Sequence, residues 1–269
     1  MKKWLPLIGW TLLAMSIYYA IEVVFNAGFR QLIQRAGTEK YSQYILIANL
    51  LLKIVTLLVF GVWYWVWEHK WSYRPDYRGI FSVKNILCLV GIGLLGQYAV
   101  SFLMALVRMV IPSIFANYDR IVQAVSLNQG SPVLMLVLVV VLGPIAEEVL
   151  FRGVIYGKLR EGFTVTQAAV ISGAIFGIYH KNIVQGIYAA LFGMILAYIF
   201  EKTQTIWGAI GTHTMFNLSS YLLSWLRSLL PALPPLFFLI FDVCCIAVVV
   251  AAVLTLRKLP NRYENKMNI

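Results

Sequence analysis

Long apolar segments separated by short polar connections make up most of this chain. A helix needs about 20 predominantly apolar residues to cross the hydrocarbon core of a bilayer. Segments close to that length recur eight times along the sequence. They extend over about 4–27, 42–67, 86–111, a fourth segment that begins near Val133 and carries Glu147 and Glu148, then 164–179, 183–200, 205–226 and Leu236–Leu256. The pattern predicts an all-α polytopic membrane protein with about eight transmembrane helices.

Local signals refine these helices. The first apolar segment follows two lysines, as in a signal peptide, but it is too long and lacks a small-residue cleavage site, so we expect a retained helix. Gly143-Pro144 interrupts the hydrogen-bond ladder of the fourth helix, which predicts a kink just before the glutamates, with helical character continuing to about Arg160. A loop with a short amphipathic helix is expected over 112–131, and a tight turn over 201–204. The tail over 257–269 is polar and basic, and we expect it to be flexible.

Small residues in the fifth and sixth helices predict close packing between helices. They are Ser172, Gly173 and Ala174, followed by Gly186, Ala189, Ala190 and Gly193. Small side chains let transmembrane helix backbones approach one another closely. These small faces should therefore let the helices come together.

Composition supports the membrane class. Hydrophobic residues make up 61% of the chain and charged residues 12%, with a mean hydropathy of +0.79, which excludes a water-soluble globule at 269 residues. The three cysteines, Cys88, Cys244 and Cys245, all lie in apolar segments and predict packing roles rather than a disulfide framework.

The positive charge follows membrane topology. The net charge of +11 raises the question of a nucleic-acid partner, but the Lys and Arg residues cluster between apolar segments, so we expect none. With the N-terminus inside and eight crossings, 14 of the 22 Lys and Arg residues fall in cytoplasmic segments. The sequence therefore predicts an integral membrane protein with both termini in the cytoplasm.

Two adjacent carboxylates and an arginine interrupt the fourth apolar segment. Insertion of one such charge at mid-helix costs about 2.5–3.5 kcal/mol, so these side chains need partners or a wet cavity. Glu148 and Arg152 are four residues apart and share a helix face, while Glu147 is rotated by about 100° toward a different neighbour. One glutamate can therefore pair with the arginine while the other does not. The alternative is a structural ion pair at a snorkelling helix end.

Two histidines mark two further polar sites in apolar surroundings. Phe176 and His180 belong to one, and His213 and Asn217 to the other. His213 and Asn217 are four residues apart, so both can hydrogen-bond a common oxygen. A lone intramembrane histidine commonly serves helix packing, but two histidines with an asparagine and a glutamate pair favour a functional site.

Three motifs formed by these residues resemble the CPBP intramembrane glutamic endopeptidases, which include the CAAX-processing endopeptidase and the bacterial Abi proteins. Glu147, Glu148 and Arg152 match EExxxR, Phe176 and His180 match FxxxH, and His213 and Asn217 match HxxxN. The resemblance covers about 132–222. It implies a catalytic core over 132–226 built from helices 4 to 7, preceded by helices 1 to 3 over 1–131. The last helix and basic tail occupy 227–269.

The resemblance and the chemistry of peptide hydrolysis assign provisional roles. Apolar surroundings favour the protonated form of a carboxyl group, so Glu147 is suited to accept a proton near neutral pH and to act as general base. His180 would help to hold the water, and His213 and Asn217 would form the oxyanion site. Glu148 and Arg152 would maintain the helix geometry, and Phe176 would form a wall of the cavity.

Other chemistries fit less well. The sequence contains no HExxH zinc motif and no GxSG serine motif beside the histidines, and Asp242 has no second intramembrane aspartate. We therefore expect no cofactor and no metal, although Glu147, His180 and His213 offer the donor atoms for zinc as an alternative.

Two non-enzymatic hypotheses remain open. A catalytically silent immunity or adaptor protein would bind a peptide or partner in the same cavity. A transporter is suggested by Glu22, Glu148 and Asp242, but the sequence has no inverted repeat. Glu22 either snorkels or pairs with a buried cation such as Lys53, and the role of Asp242 is open.

The expected partners are the lipid bilayer and a peptide or protein substrate at the membrane. Short loops and the absence of large soluble domains favour a bacterial plasma membrane. A prenylated substrate is the second choice after a peptide without a lipid.

Overall fold

The computed structural model describes residues 4–35, 37–68, 77–127, 131–229 and 235–262. Secondary structure in these ranges is entirely helical, which confirms the predicted all-α class. The helices are α1 (Leu5–Arg35), α2 (Gly37–Glu68), α3 (Tyr77–Ile80), α4 (Val83–Val110), α5 (Phe115–Leu127), α6 (Pro132–Leu159), α7 (Val165–Tyr179), α8 (Ile183–Thr203), α9 (Ile206–Leu229) and α10 (Pro235–Leu256). A 3₁₀ turn over Pro112–Ile114 precedes α5, so the amphipathic helix predicted over 112–131 is present.

Six of these helices are long and apolar enough to cross a membrane: α1, α2, α4, α6, α8 and α10. The other two predicted transmembrane segments differ from expectation. Helix α7 has 15 residues and is about 22 Å long at 1.5 Å per residue, which is shorter than a bilayer core of about 30 Å. Helix α9 is long enough, but polar residues such as Thr212, His213 and Asn217 interrupt its apolar sequence, and it is not among the six. The architecture is that of an integral, polytopic membrane protein.

The chain divides into two compact units. Unit 1 comprises Met1–Ser72 and Asp119–Ala168, and unit 2 comprises Tyr73–Tyr118 and Ala169–Ile269. Unit 1 therefore contains α1, α2 and α6, while unit 2 contains α4, α8, α9 and α10. The division falls within α5 and α7.

Helix packing in unit 1 centres on α2, which contacts both α1 and α6. Gly153 in α6 allows the closest approach, because a Cβ atom at this position would lie 2.9 Å from the ring of Tyr64 in α2. Every residue from Val149 to Tyr156 is buried. The segment that follows the two glutamates is therefore the core of the unit.

Helix α6 is not a regular α-helix. Its ladder is π-helical over Val137–Leu142 and again over Val149–Tyr156, with α-helical turns between them at Gly143–Glu148. The amide of Gly143 accordingly donates to the carbonyl of Leu138, five residues earlier. The predicted interruption before the glutamates takes this form, since Pro144 has no amide to continue an α-helical ladder. The helix continues past Arg152 to Leu159, as predicted.

Packing in unit 2 centres on α4, which contacts α9 and α10. Helices α7 and α8 approach closely through glycines: a Cβ atom at Gly177 would lie 2.5 Å from the carbonyl oxygen of Gly186, and one at Gly173 would lie 2.7 Å from that of Ala190. The close packing predicted from the small residues of these two helices is confirmed.

The turn prediction at the end of α8 was wrong, and the prediction of a flexible tail does not hold for the first residues of that tail. The turn expected over 201–204 is shorter, because α8 remains helical through Thr203 and ends at Gln204 in a left-handed conformation with φ of 57°. The first residues of the tail are held in place. Lys202 donates to the carbonyl of Leu259 at 2.9 Å, and Arg262 donates to that of Gln204. The sequence 263–269 lies outside the described residues.

Candidate active site

Glu148 and Arg152 form a fully buried ion pair in unit 1. Arg152 Nη1 lies 3.0 Å from Glu148 Oε1, and both side chains are 0% exposed. Burial of two charges is costly unless they satisfy each other, and here the i,i+4 spacing supplies the partner from the same helix. Glu147 adds a weaker electrostatic attraction to Arg152. The pairing of Glu148 with Arg152 is as predicted.

Glu147 points to a different neighbour, on another helix. Lys53 Nζ in α2 lies 2.6 Å from Glu147 Oε1, and the two side chains are 16% and 13% exposed. Glu147 is thus paired with a cation of its own. Sequence reasoning considered Lys53 only as a partner for Glu22, because 94 positions separate Lys53 from Glu147. The available signal was the position of Lys53 as a single charge within an apolar segment.

In unit 2, His180 lies directly after α7, at the turn into α8. Its Nδ1 is 2.8 Å from the carbonyl oxygen of Phe176, which can only accept, so Nδ1 carries the proton and Nε2 of the neutral ring is an acceptor. Lys181 adopts a left-handed conformation with φ of 56°, and Asn182 then caps α8 by accepting from the amide of Gln185 at 3.1 Å. The turn fixes the backbone of the histidine on both sides.

Hydroxyl groups of α9 anchor His213 and Asn217 against α4. Thr212 Oγ1 donates to the carbonyl of Leu89 at 3.4 Å, and Ser219 Oγ donates to that of Leu94 at 2.6 Å. Gly93 completes this contact, because a Cβ atom there would lie 2.5 Å from Cβ of Met215. These bonds set the rotation of α9, and His213 is buried while Asn217 is half-buried.

Aromatic rings connect the two histidine motifs. The ring of the buried Phe176 lies 4.7 Å from that of His180 and 5.9 Å from that of His213, edge to face in both cases. Phe192 in α8 lies 5.9 Å from the His213 ring and stacks on Phe216 at 3.9 Å. The structure therefore brings Phe176, His180 and His213 together in unit 2, with Asn217 one turn from His213.

The seven predicted site residues are thus divided between the units. Glu147, Glu148 and Arg152 belong to unit 1, and Phe176, His180, His213 and Asn217 belong to unit 2. Glu22 lies in α1 of unit 1, and Asp242 lies in α10 of unit 2. Within the described ranges, no group of three or more His, Cys, Asp or Glu side chains is placed to hold a metal ion.

Comparison with known proteins agrees with these motifs. Residues 129–219, which include all seven motif residues, match the family described as type II CAAX prenyl endopeptidase Rce1-like. The putative membrane peptidase YdiL of Bacillus subtilis (strain 168) is 36% identical over 84 residues, which are 31% of this chain and 34% of that protein. The chain therefore spans about a third of the length of this curated relative. No solved structure matches the chain. The resemblance of the motif region to the CPBP/CAAX protease family is confirmed.

Proposed function

We propose that this protein is an intramembrane endopeptidase that hydrolyses a peptide bond in a membrane-associated peptide or protein, using water activated by Glu147. The observation that carries this proposal is the different placement of two adjacent carboxylates. Glu148 is fully buried against Arg152, whereas Glu147 retains some exposure next to Lys53. A general base must reach water, and of the two only Glu147 is accessible.

The first step is the addition of water to the scissile carbonyl carbon. Glu147 takes a proton from the water as the water oxygen bonds to that carbon, and the carbonyl π electrons move onto the carbonyl oxygen. Through Nε2, His180 holds the attacking water in place. Its Nδ1 bond to the Phe176 carbonyl fixes the ring for this task.

The second step is collapse of the tetrahedral intermediate. His213 and Asn217 donate hydrogen bonds to the oxyanion, with the amide of Asn217 as one donor. The protonated Glu147 passes its proton to the leaving nitrogen, the C–N bond breaks, and the carbonyl re-forms. The products are a new carboxyl terminus and a new amine, and Glu147 returns to its carboxylate form.

Three residues would support this chemistry without reacting. The Glu148–Arg152 pair stiffens α6 within the core of unit 1, which supports the helix that carries Glu147. Phe176 packs against both histidine rings and limits the access of water around them. We assign no cofactor to this reaction.

The substrate class follows from the family and the membrane location. The matched family is described as prenyl endopeptidases and the bacterial relative as a membrane peptidase. We propose a peptide or protein tail at the membrane as substrate, with prenylation as the second choice. We further propose a bacterial plasma membrane as the location, with both termini in the cytoplasm.

The test is cleavage of a panel of fluorogenic peptides, each with and without a farnesylated cysteine, by the purified full chain in detergent. Glu147→Gln and His213→Ala should abolish cleavage while the protein stays folded. Glu161→Gln is the matched control, because Glu161 is a carboxylate of the same unit that binds Lys158 and Trp67 instead. Unchanged cleavage by folded Glu147→Gln would exclude Glu147 as the base. A silent adaptor would instead bind peptides without cleaving any of them.

A further inference from the structure

Lys53 is a single charge in the middle of an apolar helix. No other Asp, Glu, Lys or Arg occurs between Gln43 and Trp67. The apolar part of α2 extends from Gln43 to Glu68, and Lys53 lies about 15 Å from its nearer end at 1.5 Å per residue. A lysine side chain cannot cover that distance, so its ammonium cannot reach the aqueous interface by snorkelling. The cost of a mid-helix cation must therefore be offset inside the protein.

The offset comes from Glu147. The Lys53 ammonium lies 2.6 Å from Glu147 Oε1, which is the short range expected of a charge-assisted hydrogen bond. Helix α2 packs along α6 on both sides of Gly143–Glu148 and on that segment itself, so the register between the two helices is held over a long contact. The position of the ammonium is thus determined by the core of unit 1.

The neighbouring carboxylate does not require this cation. Glu148 is already bonded to Arg152 on the same helix. A second cation, contributed by a separate helix, bonds Glu147. Lysine suits this position, because its ammonium is a compact charge with rotatable donors, whereas the planar fork of arginine favours bidentate pairing.

We propose that Lys53 is the positioning residue for Glu147: its ammonium keeps the carboxylate ionised in apolar surroundings and fixes the direction of Oε1. This inference rests on the proposed function for its catalytic meaning, although the pair itself can be tested without any activity. A base that is ionised before substrate arrives can accept a proton from water at once. Removal of the cation leaves a carboxyl group that retains its proton, because apolar surroundings disfavour the charged form.

Other charged and titratable groups on the helices of unit 1 that contact one another also enter the test. On α6 they are Glu148 and Arg152, on α2 Tyr64, and on α1 Tyr18, Tyr19 and Glu22. All of them stay constant when only Lys53 is changed. A matched control is Lys158→Met in the same unit, because Lys158 also bonds a glutamate, Glu161, at 2.5 Å.

The decisive experiment is labelling with dicyclohexylcarbodiimide, an apolar reagent that adds to protonated carboxyl groups and leaves a stable N-acylurea. The full chain in detergent is treated near neutral pH, and the label at Glu147 is quantified by peptide mass spectrometry. Wild-type protein, Lys53→Arg and Lys158→Met should show little label at Glu147. In Lys53→Met the label at Glu147 should increase on the order of tenfold, because the Glu147 carboxyl group is then protonated. Strong labelling of the wild-type protein, or equal labelling of wild type and Lys53→Met, would overturn the proposal.

Kinetics then separate this inference from the proposed function. In an active preparation, Lys53→Met should lower kcat by about ten- to a hundredfold with little change in KM. Lys53→Arg should restore most of the rate, because it keeps the positive charge next to Glu147. If Lys53→Met fails to fold, labelling of Lys53→Gln and the pH dependence of wild-type labelling test the same proposal. A protein that labels as expected but cleaves no peptide would refute the peptidase and leave the ion pair intact.

Discussion

Two ion pairs on α6 differ in ways that separate structural from chemical roles. Glu148 and Arg152 come from one helix, lie 3.0 Å apart and are completely buried. Lys53 and Glu147 come from two helices, lie 2.6 Å apart and keep 16% and 13% of their side-chain surface exposed. The first pair is formed as soon as α6 forms, whereas the second requires α2 to be docked. The two adjacent glutamates of the motif therefore have different roles: Glu148 stabilises the fold, and Glu147 is suited to the proposed chemistry.

The largest expected effect is on activity at the accessible pair. Glu147→Gln should lower kcat by about 10²- to 10⁴-fold, because general base catalysis is lost while the side-chain shape is retained. Thermal stability in detergent should fall, but by less than in Arg152→Met, because the amide oxygen still accepts a hydrogen bond from the Lys53 ammonium although the compensating negative charge is lost. Peptide cleavage and the melting curve are measured on the same sample. A large drop in stability with residual activity would reverse the roles that we assign to the two pairs.

The next effect is on stability at the buried pair. Arg152→Met should destabilise the fold by about 3–5 kcal/mol, because it leaves the Glu148 carboxylate buried without the cation that compensates it. The double variant Glu148→Gln with Arg152→Met should recover much of that loss. Thermal or denaturant unfolding of the two single variants and the double variant measures the coupling. Additive effects of the two substitutions would show that the ion pair is not the source of the stability.

A smaller effect is expected at a third pair in unit 1. Lys158 and Glu161 lie 2.5 Å apart at the end of α6, with side chains that are 24% and 29% exposed. Lys158→Met should change the free energy of unfolding by less than about 1 kcal/mol, as is usual for pairs accessible to solvent. The same unfolding assay measures it. A loss as large as that of Arg152→Met would mean that burial does not distinguish these pairs.

Chelation should have the smallest effect. Incubation with a strong zinc chelator should leave peptide cleavage unchanged, because Glu147 is assigned to a proton transfer rather than to a metal. Cleavage is measured before and after chelation and again after zinc is added. If activity disappears with the chelator and returns with zinc, a metal centre rather than Glu147 alone activates the water.

The predictable parts of the molecule are those encoded over short distances. The Glu148–Arg152 pair follows from helical spacing alone, and the close packing of α7 on α8 follows from their small residues. The Lys53–Glu147 contact joins two residues that are 94 positions apart. It depends on how α2 and α6 align, and no local sequence pattern specifies that alignment. The hydroxyl bonds of Thr212 and Ser219 to α4 are equally nonlocal.

Other features were not predicted because the local sequence contains no marker for them. The turn after α8 is made by Gln204 in a left-handed conformation that glycine would normally supply, so the sequence carried no obvious marker for its position. The π-helical segment Val137–Leu142 consists only of valine and leucine and looks like any transmembrane helix. Its irregularity becomes visible only in the hydrogen bonds. Only Gly143-Pro144 indicated that the ladder would change nearby.

The π-helical segment before the glutamates sets the direction of Glu147 through the backbone rather than through side-chain chemistry. One residue of an α-helix corresponds to about 100° of rotation around the helix axis, and a π-helical turn holds about one residue more than an α-helical turn. If Val137–Leu142 formed a regular α-helical ladder instead, the preceding part of the helix would be turned by about that angle relative to Glu147, with every charged residue still present. The direction of the Glu147 side chain therefore depends on the hydrogen-bond pattern of a segment that carries no charge itself.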